Sequence, residues 1–433
     1  MTRPLLLLMA LATGLSVSAN YLAQPLLDVL ASDLGISEAS AGTIVTAAQV
    51  GYAVGLLLVV PLGDLLERRR LAVTLLGATA VLLVASSLAP SGRALLVTTT
   101  LTALTSVAAQ VVVPFAVTLA DPARRGQVVG VVMSGLLLGS IVSRPISGVL
   151  SQLAGWRTVY VVCGVLVAAV AVALWHRLPT LHTPSGIAYP RLIGSTLALF
   201  ATQPVLRRRA LVGALSLASF NTFWTASTFL LATSYGWAEA AIGAFGLMGI
   251  AGVVATPVAG RLVDAGRART VARASTLALP VAWGAIALGG GGGTVGLWWL
   301  LLGVLVLVVA QQMLLNANQN AIYALAPELR NRLNAAFMAA FFVGGAAGSA
   351  ATTVAWVAGG WGAVSLLGAV LAASTCVVWL EGRRAPRDLD AGSASAPTNG
   401  AQRGSSASRA ERGSADVAVR HLLRRGSGRT VPC

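Results

Sequence analysis

The stretch PLGDLLERRR, residues 61–70, returns in kind as AGRLVDAGRAR at 259–269, so that Asp64 and Arg69 stand 200 residues before Asp264 and Arg269. A second set of matches lies 205 residues apart: Pro122, Arg125, Met133, Gly139 and Trp156 against Pro327, Arg330, Met338, Gly344 and Trp361. Self-similarity at a fixed offset across the whole chain marks a duplicated architecture. The expected organisation is one half over 1–175, a linker over 176–209, a second half over 210–381 and a tail over 382–433.

Each copy of the stretch is a short charged turn between two long apolar runs. Twelve such runs are readable, near 5–27, 41–62, 71–89, 94–119, 126–151, 158–175, 210–232, 240–259, 271–289, 295–323, 333–357 and 361–380. Each has about the 20 residues that an α-helix needs to cross a hydrocarbon layer. The composition agrees: 56% of the 433 residues are hydrophobic and only 10% charged, with a mean hydropathy of +0.80. A soluble domain needs roughly 25% charged residues to cover its surface, so this chain is read as an all-α integral membrane protein of twelve helices in two six-helix bundles. Cytosolic enzymes, secreted domains and free nucleic-acid binders are excluded on the same ground. The opening MTRPLLLLMALATGLSVSAN also has the parts of a signal peptide, but its polar pattern continues past Ala19 and it reads as a retained first helix.

The chain contains no lysine, and its 30 basic residues are all arginine. Seventeen fall at the N-terminus and the even-numbered connections, among them Arg68, Arg69 and Arg70, while the odd-numbered connections hold two, Arg93 and Arg157. By the positive-inside rule both termini are cytoplasmic. The tail turns to Gly, Ser, Ala and Arg without apolar periodicity, the composition of a disordered basic segment resting on anionic lipid. Cys163, Cys376 and Cys433 have neither disulfide nor metal-ligand spacing, and no metal or cofactor is expected. The glycines at 289–293 lack the strand and the Lys-Ser/Thr of a phosphate loop and read as a flexible connection. With no nucleophile beside a base either, the chain is not read as an enzyme.

Polar residues inside the runs locate the working surface, because a helix beside an aqueous cavity needs one wet stripe. Run 1 places Thr13, Ser16, Asn20, Gln24 and Asp28 at helical spacing. Run 4 has Thr99, Thr102, Ser106 and Gln110, run 7 has Asn221, Trp224, Thr225 and Thr228, and run 10 has Gln312, Asn316, Gln319 and Asn320. Runs 3, 6, 9 and 12 show nothing comparable. A period of three runs predicts a central cavity built by runs 1, 4, 7 and 10, with runs 2 and 5 adding Gln49 and Arg144. Asn20, Tyr21, Gln24, Gln110, Asn221, Trp224, Gln312 and Asn316 complete the expected lining. Arg144 is the one ionisable residue deep inside a run, where it is read as an anion contact, a partner for Asp28 or a snorkelling side chain. No Asp, Glu or His lies in the middle of any run. Asp28, in line with the run 1 stripe, is therefore the candidate proton carrier.

The paired turns resemble those of the major facilitator superfamily of secondary transporters, whose motif is Gly-x-Leu-Ala-Asp-x-x-Gly-Arg-Arg. The first copy has Leu62, Gly63, Asp64, Arg68 and Arg69, with Gly63 where the motif has Ala and with Val60 and Glu67 at the glycine positions. The second keeps Gly260, Leu262, Asp264, Gly266 and Arg267, with one residue missing before Gly266. NYLAQPLL at 20–27, SGLLLGSIVSRPISG at 134–148 and GWR at 155–157 are similar to the bacterial exporter branch related to drug and sugar efflux proteins. The antiporter motif of that branch has Gly where Arg144 stands before Pro145. The resemblance implies export of a small amphiphilic molecule or sugar by alternating access with proton antiport, in the inner membrane of a bacterium, by a monomer. A facilitator or importer without proton coupling is the competing expectation. Asp64, Arg68, Arg69, Asp264 and Arg267, beside helix ends, are the expected gate.

Overall fold

The leucine-rich first run forms helix α1, Arg3–Ser18, but does not continue as one straight helix. Pro25 has no N–H to give, and its ring would collide with the carbonyl four residues back. The chain therefore unwinds over 19–26, where Asn20, Tyr21, Gln24 and Leu26 bond three residues back instead of four, and resumes as α2, Leu27–Asp33.

This structure, a computed structural model, describes residues 2–121, 124–180, 188–326 and 329–384. From 385 onward the expected basic tail lies outside the described residues. All regular elements among the described residues are helices. After α2 come α3, Glu38–Leu58, capped by Ser37, and α4, Arg68–Ser87, capped by Glu67, whose carboxylate accepts from the N–H groups of Arg69 and Arg70. There follow α5, Gly92–Thr105, α6, Ala108–Leu119, α7, Arg125–Ala154, and α8, Trp156–Arg177. The expected linker contains a helix of its own, α9, Tyr189–Thr202, and already merges at Pro204 into α10, Pro204–Tyr235.

The rest of the chain forms α11, Glu239–Phe245, α12, Ile250–Leu262, α13, Ala268–Leu288, α14, Gly293–Tyr323, and α15, Arg330–Arg384. The glycines at 289–293, read as a flexible connection, form a single helical turn, Gly289–Gly291, and the first residue of α14. Element α15 is two helices run together: the backbone turns at Gly359 and Gly360, the latter at φ 56°, a left-handed conformation that favours glycine.

Nine stretches among the described residues are long and apolar enough to cross a membrane. The bent stretch Arg332–Glu381 is one of them and carries the last two apolar runs. Two other runs fall outside the nine for visible reasons. Helix α1 has only 16 residues before its break, and α10 buries a polar series that includes Ser216, Ser219, Asn221, Thr222, Thr225 and Thr228.

The apolar cores follow the two halves of the sequence. One joins residues of α1 to α8 and receives Phe229 from α10, and a second joins residues of α10 to α15. Outside them the surface is also apolar: Val81, Leu153, Val281, Trp298 and Val354 are each more than two-thirds exposed. Large hydrophobic side chains over so much surface fit lipid contact, not water.

Close helix approach repeats between the halves. A Cβ on Gly139 of α7 would collide with the backbone of Gly14 in α1, and one on Gly344 of α15 would collide with that of Ala214 in α10. Gly139 and Gly344 are the residues that the sequence places 205 apart.

Candidate functional site

A cavity of about 220 Å³ lies in the middle of the helix array. Val17, Asn20 and Tyr21 border it from the first span, Ala48, Gln49 and Tyr52 from α3, and Gln110 from α6. Leu136, Leu137, Ser140, Ile141 and Arg144 come from α7, Leu217 and Phe220 from α10, and Gly249, Gly252 and Val253 from α12 and the turn before it. Val308, Gln311, Gln312 and Leu315 of α14 and Met338, Phe341 and Phe342 of α15 complete the wall. No described residue of α4, α8 or α13, nor of α15 beyond its bend, lines it.

Six of the sequence-predicted residues thus reach the lining: Asn20, Tyr21, Gln49, Gln110, Arg144 and Gln312. The other four sit behind it or beside it. Gln24 is buried and accepts from Arg144. Trp224 is buried against the same guanidinium. Asn221 is buried facing Gly345 of α15, and Asn316 has its Nδ2 enclosed without a partner.

Arg144 is the only charged side chain in the lining and is just 7% exposed. Its Nε donates to Gln24 Oε1 at 2.8 Å and its Nη1 to the Ser140 carbonyl at 2.8 Å. The guanidinium carbon lies 4.6 Å from the Tyr21 ring centroid and 4.7 Å from that of Trp224. Burying a charge inside a membrane costs at least about 2.5 kcal/mol, and a desolvated cation over an aromatic face recovers about 2 kcal/mol. Two rings and two hydrogen bonds therefore hold the cation without a carboxylate. Glycines fix its stem: a Cβ on Gly246 would come within 2.8 Å of Arg144 Cβ.

The ion pair considered between Arg144 and Asp28 does not form, and Asp28 is not among the lining residues. The expectation assumed one continuous helix from Thr13 to Asp28. The unwinding above Pro25 breaks that phase, so the stripe reaches the cavity at Asn20 and ends there. Gln24 and Asp28 follow a different course.

Spans 1 and 4 are interrupted at the same level. Helix α5 stops at Thr105 and α6 starts at Ala108. Across the two breaks Asn20 Nδ2 donates to Ser106 Oγ at 2.8 Å, and the Ser16 hydroxyl donates to the Ser106 carbonyl. Beside them Asn20 Oδ1, Thr99 Oγ1, Thr102 Oγ1 and the Tyr160 hydroxyl have no protein partner. They border a second space of about 10 Å³, close to the room one water needs.

The two ends of the array differ. At the end away from the arginine-rich turns, contacts cross from one sequence half to the other. Trp356 Nε1 donates to the Glu38 carboxylate, and Thr228 Oγ1 donates to the Gln24 carbonyl. A Cβ on Gly148 would strike the backbone of Glu239, and one on Gly243 that of Arg144. At the arginine end the first turn bonds within its own half. Arg68 donates to Thr118 Oγ1 at 2.8 Å and to the Gly63 carbonyl, Arg69 stacks on Trp175 at 4.5 Å, and Arg70 pairs with Glu67 at 3.5 Å. Arg267 is exposed in the second turn. The side chains of Asp64 and Asp264, the acids expected in the gate, lie outside what the structure describes.

Sequence reasoning missed Gln311, whose amide nitrogen and oxygen are both buried without partners at the cavity wall. Its signal was present in the pair Gln311-Gln312 within an otherwise apolar run. It also missed the contribution of α12 and α15 and the aromatic wall of Tyr52, Phe220, Phe341 and Phe342, which in an apolar sequence look like ordinary packing residues.

The family model described as Major Facilitator Superfamily matches residues 9–294 and 209–427. The chain is 45% identical over 381 residues to the uncharacterized transporter YgaY of Escherichia coli O157:H7, covering 87% of this chain and 95% of that one. It is 27% identical over 287 residues to a chloramphenicol resistance protein of Streptomyces lividans, 65% of this chain and 72% of that one. The crystal structure of a single-site mutant of the nucleoside transporter NupG shares the fold, with a TM-score of 0.71 at 14% identity over 87% of this chain and 98% of that one. A duplicated all-helical membrane chain with a mid-depth cavity and these matches has one assignment: the protein is a member of the major facilitator superfamily, a membrane transporter of a small molecule and not an enzyme.

Proposed function

We propose that the protein exports a small organic molecule from the bacterial cytoplasm by alternating access. In this reading residues 1–175 and 210–381 are two bodies that rock about the cavity, joined by the linker with α9, with both termini cytoplasmic and the inner membrane as host. The observation that carries it is a cavity walled by both halves, with the side-chain hydrogen bonds between the halves among the described residues, Trp356 to Glu38 and Thr228 to Gln24, at the end away from the arginine-rich turns. With those turns in the cytoplasm, this is an inward-facing arrangement, ready to load from inside. The relative from Streptomyces lividans, whose name ties it to drug resistance, supports the outward direction and an amphiphilic cargo, and sugars are the second class. Asp64, Arg68, Arg69, Asp264 and Arg267 close the cytoplasmic end in the other state, a change of partners at helix ends that rocking permits. The protein works as a monomer, driven by proton antiport through Asp28.

The test is substrate-induced proton movement in inverted membrane vesicles, with a panel of amphiphilic drugs, chloramphenicol included, and sugars. Asp64→Asn is the inactive control. A compound that dissipates the pH gradient in wild type alone establishes proton-coupled export.

One observation favours a second reading, a facilitator or importer independent of protons: no Asp, Glu or His lines the cavity among the described residues. Uptake of a labelled compound by the same vesicles with no proton movement selects it.

A further inference from the structure

We propose that the cavity takes a small aromatic organic anion, with Arg144 as its counter-charge. This deepens the transport reading above and rests on it. Every other lining side chain is uncharged, so Arg144 has no counter-charge among the described residues that line the cavity. Among the described residues the two ion pairs are Arg70 with Glu67 and Arg157 with Asp33, both away from the cavity. Arg144 spends Nε and Nη1 on Gln24 and Ser140, while Nη2 donates to no described group. A guanidinium recognises a carboxylate or sulfonate through directed, charge-assisted bonds, and the glycine contacts that fix the stem hold this donor in place. In the same wall, Gln311 Nε2 is a second donor without a partner.

The rest of the wall favours an aromatic body. Tyr21, Tyr52, Phe220, Phe341 and Phe342 supply ring faces and edges. An apolar cavity of about 150 Å³ takes one benzene, so about 220 Å³ accommodates one ring with a short charged substituent. An organic cation would meet Arg144 as a like charge in a low dielectric. A sugar would leave most of its hydroxyls against rings and aliphatic side chains without partners.

The anion also competes with a partner that Arg144 has within its own half. Gln24 and Trp224 hold Arg144 from the first span and from α10, one from each half of the chain. A carboxylate on the guanidinium supplies what Gln24 Oε1 supplies in its absence. Binding at this residue thus bears directly on the bond that joins spans 1 and 5.

The experiment uses the full chain in liposomes and in detergent. Binding and uptake are measured for benzenesulfonate, 4-hydroxybenzoate and phenylacetate, each beside its neutral amide. The expected result is saturable binding and uptake of at least one anion, with its amide weaker by roughly tenfold or more. Arg144→Gln loses the anion by a similar factor, and Arg144→Lys, which keeps the charge without the fork, falls between. Thermal unfolding of both variants shows whether each is folded, and Arg144→Lys carries the comparison if Arg144→Gln is not.

Equal binding of anions and amides, wild-type affinity in the folded Arg144→Gln variant, or no binding of any anion overturns the proposal. The two readings fail separately. Proton-driven export of neutral or cationic drugs with no anion bound removes the anion site and leaves export standing. Anion uptake without proton movement removes antiport and leaves the anion site standing.

Discussion

The hydroxyl of Thr228, on α10, donates to the main-chain carbonyl of Gln24 at 2.6 Å, tying the second half of the chain to the interrupted segment of the first span. Thr228 is 2% exposed and Gln24 is 3% exposed, so water does not replace the bond while that end is closed. Thr228→Val keeps the shape and removes the donor, at a cost of about 1–3 kcal/mol to the closed arrangement. The equilibrium shifts toward the state open at that end by roughly tenfold or more. In a cysteine-free background, a cysteine at Ala39, which borders the small space between α3, α10 and α15, reacts faster with an impermeant maleimide when Thr228→Val is added. An unchanged rate means that this bond does not hold the end shut.

Trp356 offers a second hold on the same end. Its Nε1 donates to Glu38 while its ring lies 5.6 Å from that of Phe229. Trp356→Phe keeps the ring contact and drops the hydrogen bond, and a charge-assisted bond contributes about 1.5–3 kcal/mol. Glu38→Gln retains an acceptor oxygen and is expected to accelerate the Ala39 cysteine less than Trp356→Phe does. The reverse order would show that the carboxylate, and not its bond to Trp356, is what matters.

Gly139 and Gly344 predict equal sensitivity in the two halves. A Cβ at either position would collide with a neighbouring helix backbone, which cannot swing aside as a side chain can. Overpacking of this kind costs about 1–3 kcal/mol, and Gly139→Val and Gly344→Val are each expected to lower the unfolding temperature of the purified protein in detergent. Gly77→Val, where a Cβ meets open space, is the control. A wild-type melting curve for either contact variant means that the two helices separate at that glycine without loss of stability.

Asp33, at the exposed end of α2, accepts from Trp156 Nε1 and Arg157 Nη1, and these bonds hold its carboxyl below the usual carboxylate range. A depressed folded-state value means that the contribution is present above the unfolded value of about 3.9 and lost as pH falls through the lower folded one. The group is well exposed, so screening keeps the contribution small. Asp33→Asn is expected to lower the unfolding temperature slightly at pH 7, and the difference from wild type to close as the pH falls through the depressed folded-state value. A difference that persists in acid would trace instead to the shape of the side chain.

The duplicated turns at 61–70 and 259–269 and the spacing of the apolar runs were enough to read a helical membrane transporter, because lipid admits few alternatives to helices. Arg144 was also legible: a buried charge in an apolar run needs compensation wherever it sits. What escaped is instructive in physical terms. Asp28 was placed on the polar stripe by counting turns, and one proline three residues earlier unwound the helix that the counting assumed. Tyr52, Phe341 and Phe342 could not be told from packing residues, since a ring carries the same pattern whether it faces a core or a cavity. Gln24, Trp224 and Asn221 were read as facing the cavity but lie behind it, because a wet stripe identifies a helix face without fixing which neighbour that face meets.

Where α7 meets α11 and the turn after it, the contact is made at Gly148, Gly243 and Gly249, with main chain against main chain or against a short aliphatic branch. Apart from the Arg144 stem against Gly246, such a seam has few interlocking side chains to disengage. As it opens, what it uncovers first is amide and carbonyl, groups that water solvates readily, and little hydrocarbon. Hydration then offsets part of the work of separation at the moment it is done. A membrane protein that must unfasten one end in every cycle is helped by a seam that is dry when shut and readily wetted when parted.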